Sequence, residues 1–457
     1  MNKLTKGEDM KNKFKPFRNF WTRFPPEFIV LIRHLMGLIR GGKSEILEKE
    51  QDVMLDYEAC LSNWKIAQKI MSFEIIFRLD DIIKLEAKKK EHHRNRNKEE
   101  KVACIYAVTL RKNEILVLRR CIDSLIWSML DNEPSSIRRL PITPHTDNLS
   151  RINIIDSMIA ADLINEHKHK LAVVTDMSTF VHIGDLATFS LQEGFQLIEV
   201  KTGKRNHELY EAALKSFTSD HPTPEDHPIN NMSEKDVNQF NRIKKQIVRG
   251  NNVLKAIYTG EGFDNLSQSP IKIYDRNFVP TFYNKNLIHL WETIFSGKNW
   301  AIDVIDDCLY LGAYRDAEKG FLAFSTWMDG IDIKSKVVNI NYSFFDPLSR
   351  LFMSLNLPTE LLFDIISGEL IIIMCFDHQQ FFNRANSRYP GLFYLSDEEE
   401  STENTLFVGN QGIASDVDGC CSFVGNGYEI RILFDLQRPD NLIDWSYELS
   451  DLKIKKQ

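Results

Sequence analysis

The sequence predicts a multi-domain protein of α+β or α/β class, with a helical N-terminal region, a mixed-sheet core and a mixed α/β C-terminal domain. Three observations lead there. The chain has 457 residues, 43% of them hydrophobic, which at roughly 150 residues per domain allows two or three separate cores. Apolar residues recur at helical spacing in the first third. Strand-length apolar runs then cluster between residues 171 and 200. The expected domains are therefore 1–145, 150–275 and 276–457.

Composition excludes several classes. A disordered chain would combine low hydrophobicity with high net charge. Collagen-like and disulfide-scaffold chains are excluded by only 21 Gly, 15 Pro and 7 Cys. The formal charge of −7 argues against a polycation but leaves room for a local basic patch. The cysteines are scattered, odd in number and without a Cys-x-x-Cys pair, which fits a reduced, cytoplasmic protein without structural zinc. The stretch from Phe28 to Ile39 is broken by Arg33 and His34, so no membrane span is expected. No signal peptide is expected either.

The first 50 residues carry eleven Lys/Arg against six Asp/Glu. Phe14, Phe17, Phe20 and Trp21 alternate there with Lys13, Lys15, Arg18 and Arg23. Such a segment either contacts nucleic acid, cations on phosphate and rings on bases, or docks its aromatics on the protein's own core. The run Lys84 to Lys101 lacks apolar periodicity and reads as a solvated helix end or a flexible joint. From Glu114 to Leu130, a stripe of Ile115, Leu118, Ile122, Leu125, Ile126 and Met129 predicts an amphipathic helix. Ser150 is placed to cap the next helix, with Ile152, Ile155, Ile159 and Leu163 as its buried face. Strands are expected at Leu171–Thr175, Val181–Ile183, Leu186–Leu191 and Phe195–Val200. The polar stretch Ser216–Asn231 reads as a loop. Ser233 and Asp236 then form an acidic capping box before a helix whose stripe is Val237, Phe240, Ile243, Ile247 and Leu254. Beyond residue 276 the pattern is helical at Leu287–Phe295 and strand-like at Leu370–Phe376 and Tyr428–Phe434. An acidic run, Asp397–Glu400, is expected in an exposed loop.

The chemistry concentrates in one hairpin, His182-Ile-Gly-Asp185 followed by Glu199-Val-Lys201. A three-residue loop, Gln192-Glu193-Gly194, would set Leu191 opposite Phe195, Ala187 opposite Glu199 and Asp185 opposite Lys201. Opposed residues share a face, so Asp185, Glu199 and Lys201 gather at the open end of the hairpin. A two-residue loop would turn Asp185 to the other face. Two carboxylates suit Mg²⁺ (or Mn²⁺), which takes one or two of them and completes its octahedron with water and phosphate. A neighbouring ammonium can orient the attacking water and offset transition-state charge. The combination suits metal-assisted phosphodiester hydrolysis.

Glu-x-Lys alone is weak, since it recurs at Glu86/Lys88, Glu99/Lys101 and Glu166/Lys168, and a strand-like rival is Asp332-Ile-Lys334. Only the 199/201 pair follows an apolar-Gly-Asp by hairpin spacing. In this it resembles the PD-(D/E)XK nuclease superfamily, and the order helix, three strands, helix, strand extends the resemblance over residues 150–275. The resemblance implies a restriction-endonuclease-like core with Asp185 and Glu199 on Mg²⁺ and Lys201 positioning water. It further implies an accessory carboxylate on the preceding helix, where Glu166 is the candidate or else a solvated helix end. A Gln or basic residue on the following helix would be Gln246, flanked by Lys245 and Arg249. Lys204, Arg205 and His207 are expected in a turn, where Lys204 and Arg205 would meet phosphates. The departures are the long 216–231 path to the second helix and a first motif without Pro-Asp.

Other motifs rank lower. Gly37 to Ser44 satisfies G-x-x-x-x-G-K-[ST], but Ile32, Leu35, Met36 and Ile39 run at helical spacing through Gly37. Cys375 and His378 pose as a nucleophile and base, though three apart at a strand end. Asp416-Val-Asp418-Gly lacks the later Glu of a calcium loop, and His167 and His169 have poor ligand spacing. The expectation is a Mg²⁺-dependent DNA nuclease, of the kind found among microbial restriction and anti-phage effectors, with a homo-oligomer or an activating partner protein allowed. The competing readings are a non-catalytic nucleic-acid-binding or scaffold protein with a degenerate core, and an adaptor that recruits another protein.

Overall fold

The computed structural model describes residues 24–41, 53–141, 149, 151–201, 203–218, 233–264, 269–272, 279–397, 404–417 and 420–454. The basic aromatic arm before Phe24, the Gly42-Lys43-Ser44 part of the phosphate-loop pattern, Ser150, Glu398–Glu400 and Asp418 lie outside these. The class is mixed α/β, with helices and several small antiparallel sheets. Among the described residues no helix is long and apolar enough to cross a membrane. The chain divides into two units: His34–Asp275, and Met1–Arg33 with Arg276–Gln457. Of the helical region expected at 1–145, residues 34–145 thus fall in one unit with the 150–275 segment, and residues 1–33 in the other.

Helix α1 (Pro26–Arg40) carries Ile32, Leu35, Met36 and Ile39 buried and passes through Gly37, so the phosphate-loop reading loses its strand and loop. In the His34–Asp275 unit, α2 (Val53–Arg94) and α3 (Lys98–Met129) form an antiparallel hairpin, with Asn97 Oδ1 accepting the Glu100 N–H at the tip. Lys84–Lys101 is therefore two solvated helix ends and a tight turn.

The second half of α3 is not amphipathic as expected. From Glu114 onward it is buried nearly all round, including Arg119, Arg120 and Asp123. The apolar stripe was real, but its opposite face is covered too, because the polar residues there are internally paired. Glu114 accepts from Arg78 Nε at 2.7 Å and Arg111 Nη1 at 2.8 Å. Asp123 accepts from Arg120 Nη1 (2.7 Å), Ser178 Oγ (2.6 Å), and the Thr179 N–H (2.9 Å) and hydroxyl.

A short α4 (Pro134–Ile137) precedes α5 (Arg151–Asn165). The inward face of α5 is Ile154, Ser157 and Ala161, whereas Ile159 and Leu163, expected in the core, are about 60% exposed. Small residues let α5 lie close against β1 (Leu171–Val174), and a bulkier stripe would hold it away.

Strands β1, β2 (Leu186–Ser190) and β3 (Gly194–Ile198) form an antiparallel sheet in that order. Val181–Ile183 is not a strand. That segment is irregular and buried, its Phe180 and Val181 N–H groups donated to Ser178 Oγ. The sheet is antiparallel, not mixed: a parallel strand would need a crossover. Among the described residues the later strand, β4 (Glu261–Asp264), pairs only with β5 (Ser269–Lys272). Tyr258 instead donates its hydroxyl to the Phe195 carbonyl of β3 at 2.6 Å.

The hairpin register also differs from the expected one, by two residues. Ala187 faces Leu197 and Ser190 faces Gly194, so Leu191 sits in the turn rather than opposite Phe195. Ser190 Oγ accepts the Glu193 N–H at 3.0 Å and closes the turn one residue pair earlier. Gly194 keeps the left-handed conformation (φ +69°). A Cβ there would also stand 2.5 Å from the Tyr258 hydroxyl oxygen. Gly194→Ala is expected to destabilise this unit by about 1–2 kcal/mol, read as a lower denaturation midpoint.

Two helices follow, α6 (Lys204–Thr218) and α7 (Glu234–Thr259). Helix α6 takes in Lys204, Arg205 and His207, expected in a turn, and Ser216–Thr218, expected in a loop. The Ser233/Asp236 capping box is present at the start of α7. Leu209, Ala213, Phe240, Ile243 and Ile247 join α6 to α7 in one cluster.

In the second unit, α8 (Asn284–Phe295) precedes β6 (Trp300–Ile305) and β7 (Leu309–Tyr314). Helix α9 (Ala317–Gly330), β8 (Val337–Asn339), α10 (Thr359–Ser367) and β9 (Ile371–Phe376) complete a four-stranded antiparallel sheet of order β6-β7-β9-β8. Strand β9 is buried throughout. Then come α11 (His378–Arg388), β10 (Tyr394–Ser396), β11 (Phe407–Val408), β12 (Gln411–Val417), β13 (Cys420–Phe423), α12 (Gly427–Leu433) and α13 (Pro439–Ile454). Tyr428–Phe434 is thus helical rather than strand-like, because i→i−4 bonds such as Ile430 N–H to the Asn426 carbonyl overrule its β-branched composition. Cys375 is buried in β9 and its thiol is pushed up to about 12, by burial first and then by Asp377. Its Sγ donates to the Ser335 carbonyl and the His378 Nδ1 meets the Phe407 carbonyl at 3.1 Å, so the expected nucleophile and base are turned to different partners. Asp332 and Lys334 form an exposed ion pair after α9, not a strand.

Candidate functional site

The site begins with Gly184, at φ +72°, where a Cβ would meet the Ile198 carbonyl oxygen at 3.2 Å. Only a glycine makes that turn without strain, so it aims the next residue. Thr175 holds the turn from the other side, its N–H donated to the Asp185 carbonyl at 3.1 Å and its hydroxyl to that of Gly184. The Asp185 N–H goes to the Ile198 carbonyl at 2.8 Å, although Ile198 already pairs with Leu186. Asp185 is thereby drawn in against the end of β3 instead of reaching the position opposite Lys201. Its Oδ2 accepts the Val200 N–H at 2.6 Å.

Glu199 and Lys201 follow directly on β3. The Lys201 ammonium donates to Glu199 Oε2 at 2.9 Å and to Gln246 Oε1 of α7 at 3.2 Å. Both side chains of the 199/201 pair are only about an eighth exposed. Asp185, Glu199, Lys201 and Gln246 line one cavity of about 180 Å³. The Asp185 carboxyl is pushed up to about 6, by burial first and by the Glu199 charge second, against the Val200 N–H and Lys201.

This has a measurable consequence. The folded Asp185 binds its proton more tightly than the unfolded one. Stability is therefore lost as pH rises from about 4 to 6, and the penalty stays constant above. Asp185→Asn is expected to stabilise the protein at pH 7–8 by roughly 2 kcal/mol, after allowance for solvent screening. The gain should vanish below about pH 4, as thermal melts across pH would show.

The other expected residues are distributed unevenly. Glu166 is exposed, just past the C-terminal end of α5 and outside the cavity. The carboxylate that α5 does bring to the cavity is Asp156, beside Ser157. Ten residues separate Asp156 from Glu166, about 15 Å along a helix. Lys204, Lys245 and Arg249 are exposed and do not line the cavity. Arg205 is committed to Glu208 (3.2 Å) and Asp236 (3.1 Å). The cation that does reach the cavity is Arg242, with Gln239 and Asn206 beside it.

Sequence reasoning missed these residues, although a signal existed on α7. Gln239, Arg242 and Gln246 each precede a buried residue, Phe240, Ile243 and Ile247, so they run along one flank of the apolar stripe. On α5 the signal was masked, because the more apolar stripe is the one that faces outward.

Among the described residues no cluster of three or more His, Cys, Asp or Glu side chains is arranged to hold a metal ion. The donor set suits a cation held only in part by protein, as Mg²⁺ commonly is. Asp185 Oδ1 and Glu199 Oε1 carry no hydrogen bond among the described residues, and the Asp185 carboxyl is raised by burial first and by the Glu199 charge second. No protein-family model, curated protein or solved structure matches this chain.

Proposed function

We propose that the His34–Asp275 unit is a Mg²⁺-dependent nuclease acting on DNA, with its active site in the Asp185 cavity. The observation that carries this reading is the convergence of Asp185, Glu199, Lys201 and Gln246 on one half-buried cavity. Asp185 and Glu199 would hold the metal. When bound, the ion supplies Lewis-acid polarisation of the phosphodiester and a more acidic water. Lys201 has three N–H donors, two of them given to Glu199 and Gln246. The third is left to orient a water or a phosphate oxygen. Gln246 fixes the ammonium and leaves its charge intact, because an amide oxygen accepts without neutralising. Arg242 offers a guanidinium at the same cavity for a second phosphate oxygen. Asp156 is the candidate accessory carboxylate in place of Glu166.

The test is incubation of wild type and Glu199→Gln with supercoiled, linear and single-stranded DNA in Mg²⁺, Mn²⁺ or EDTA. Cleavage that needs metal and is lost in the variant is the expected result. Salt-sensitive DNA binding without cleavage in any divalent metal would favour the non-catalytic binding reading instead.

A further inference from the structure

The second unit contains a cavity of about 260 Å³ between β8, the 3₁₀ turn Ile340–Phe344 and α12. Its apolar lining comes from Val338, Leu433 and Phe434, all buried. Two aromatic rings, Tyr342 and Phe345, also line it, with centroids 6.3 Å apart and planes at 65°. Phe345 is 54% exposed.

The polar groups are few and mostly acceptors. Glu429 and Asp346 contribute carboxylates, and Lys336 places its ammonium 5.9 Å from the Tyr342 ring centroid. Neither Lys336 nor Glu429 has an ion-pair partner among the described residues. Asn426 donates its amide to Asn404 Oδ1 at 3.1 Å, which fixes its orientation. Among the described residues its own Oδ1, closed to solvent, has no hydrogen-bond partner.

We propose that this cavity binds a guanine nucleoside. An aromatic-lined, half-apolar cleft accepts a planar ring, which stacks on Phe345 or Tyr342. The acceptors demand a ring edge rich in donors. Guanine presents a ring N–H and an amino group side by side, matched to a carboxylate such as Glu429, with a keto oxygen beside them for Lys336. Adenine sets a bare ring nitrogen next to its amino group, and that lone pair would oppose the carboxylate. Two carboxylates against one lysine disfavour a polyphosphate tail, so a nucleoside fits better than a nucleotide. The volume lies below the ~300–1,000 Å³ of drug-sized sites, room for one nucleoside. The proposal stands apart from the nuclease reading, because no residue of this cavity belongs to the His34–Asp275 unit.

Isothermal titration of the full chain with guanosine, inosine and adenosine tests it. Guanosine should bind saturably, inosine, which lacks the amino group, at least tenfold more weakly, and adenosine not measurably. Phe345→Ala removes an exposed ring and should fold normally, yet weaken guanosine about tenfold or more. Glu429→Gln should weaken it comparably. Absence of guanosine binding, equal affinity for adenosine, or affinity unchanged in Phe345→Ala would each overturn the assignment.

Discussion

Lys201→Ala is expected to lower metal-dependent DNA cleavage by about 10²–10³-fold, the usual cost of removing one preorganised donor aimed at transition-state charge. The size follows from where the ammonium sits. It is nearly buried, held by Glu199 and Gln246, and needs no reorganisation before it meets substrate. Gln246→Ala should cost less, about tenfold, because it frees the ammonium without removing it. Lys201→Arg should not restore activity, since a planar fork cannot occupy the tetrahedral position between Glu199 and Gln246. Circular dichroism and a melt of each variant separate lost chemistry from lost structure. Wild-type cleavage rates in Lys201→Ala would reduce Lys201 to a structural counter-ion.

The second large effect lies at a buried carboxylate that does not line the cavity. Asp123→Ala is expected to destabilise the His34–Asp275 unit by about 3–5 kcal/mol, seen as a lower urea midpoint. Asp123 is fully buried, and it is the common acceptor for Arg120, Ser178 and the Thr179 N–H and hydroxyl. Its removal takes the carboxylate from the buried Arg120 guanidinium and frees the segment that leads into the site. That segment contains Thr175, which holds the carbonyls of Gly184 and Asp185. Thr175→Val should be milder, losing one hydrogen bond, and should slow cleavage more than it lowers stability. A Thr175→Val variant with unchanged cleavage would show that Asp185 is positioned by β3 alone.

Metal binding can be read without any cleavage assay. Bound Mg²⁺ would offset the Glu199 charge, which after burial is the second cause of the raised Asp185 carboxyl, so millimolar Mg²⁺ should raise the melting temperature of wild type at pH 7–8. Asp185→Asn should start higher and respond little. An equal Mg²⁺ response in both would place any bound ion elsewhere.

What the sequence by itself determined is local. Asp185 directly precedes β2 and Glu199-Val-Lys201 directly follows β3, so hairpin spacing alone sets the three side chains at the open end of the hairpin. The register is two residues away from the expected one, yet the parity survived, since an even slip returns each side chain to the same face. The capping box at Ser233 and Asp236 is equally local, two side chains satisfying two backbone N–H groups within four residues. The buried stripe of α7 follows from 3.6-residue periodicity and a plainly polar opposite face.

Only the tertiary structure decided the rest. Helix α5 offers two apolar stripes, and the choice between them rests on how closely β1 can approach, which favours Ser157 and Ala161 over Ile159 and Leu163. That choice brings Asp156 to the cavity and leaves Glu166 in solvent. The second half of α3 is buried on all sides because Arg78, 36 residues away, pairs with Glu114, and Ser178 and Thr179, 55 and 56 residues away, hydrogen-bond Asp123. Gln246 and Arg242 reach the hairpin only because α6 and α7 fold back across it. Periodicity within one helix is a property of the chain, whereas the partner of each face is set by packing between segments distant in sequence.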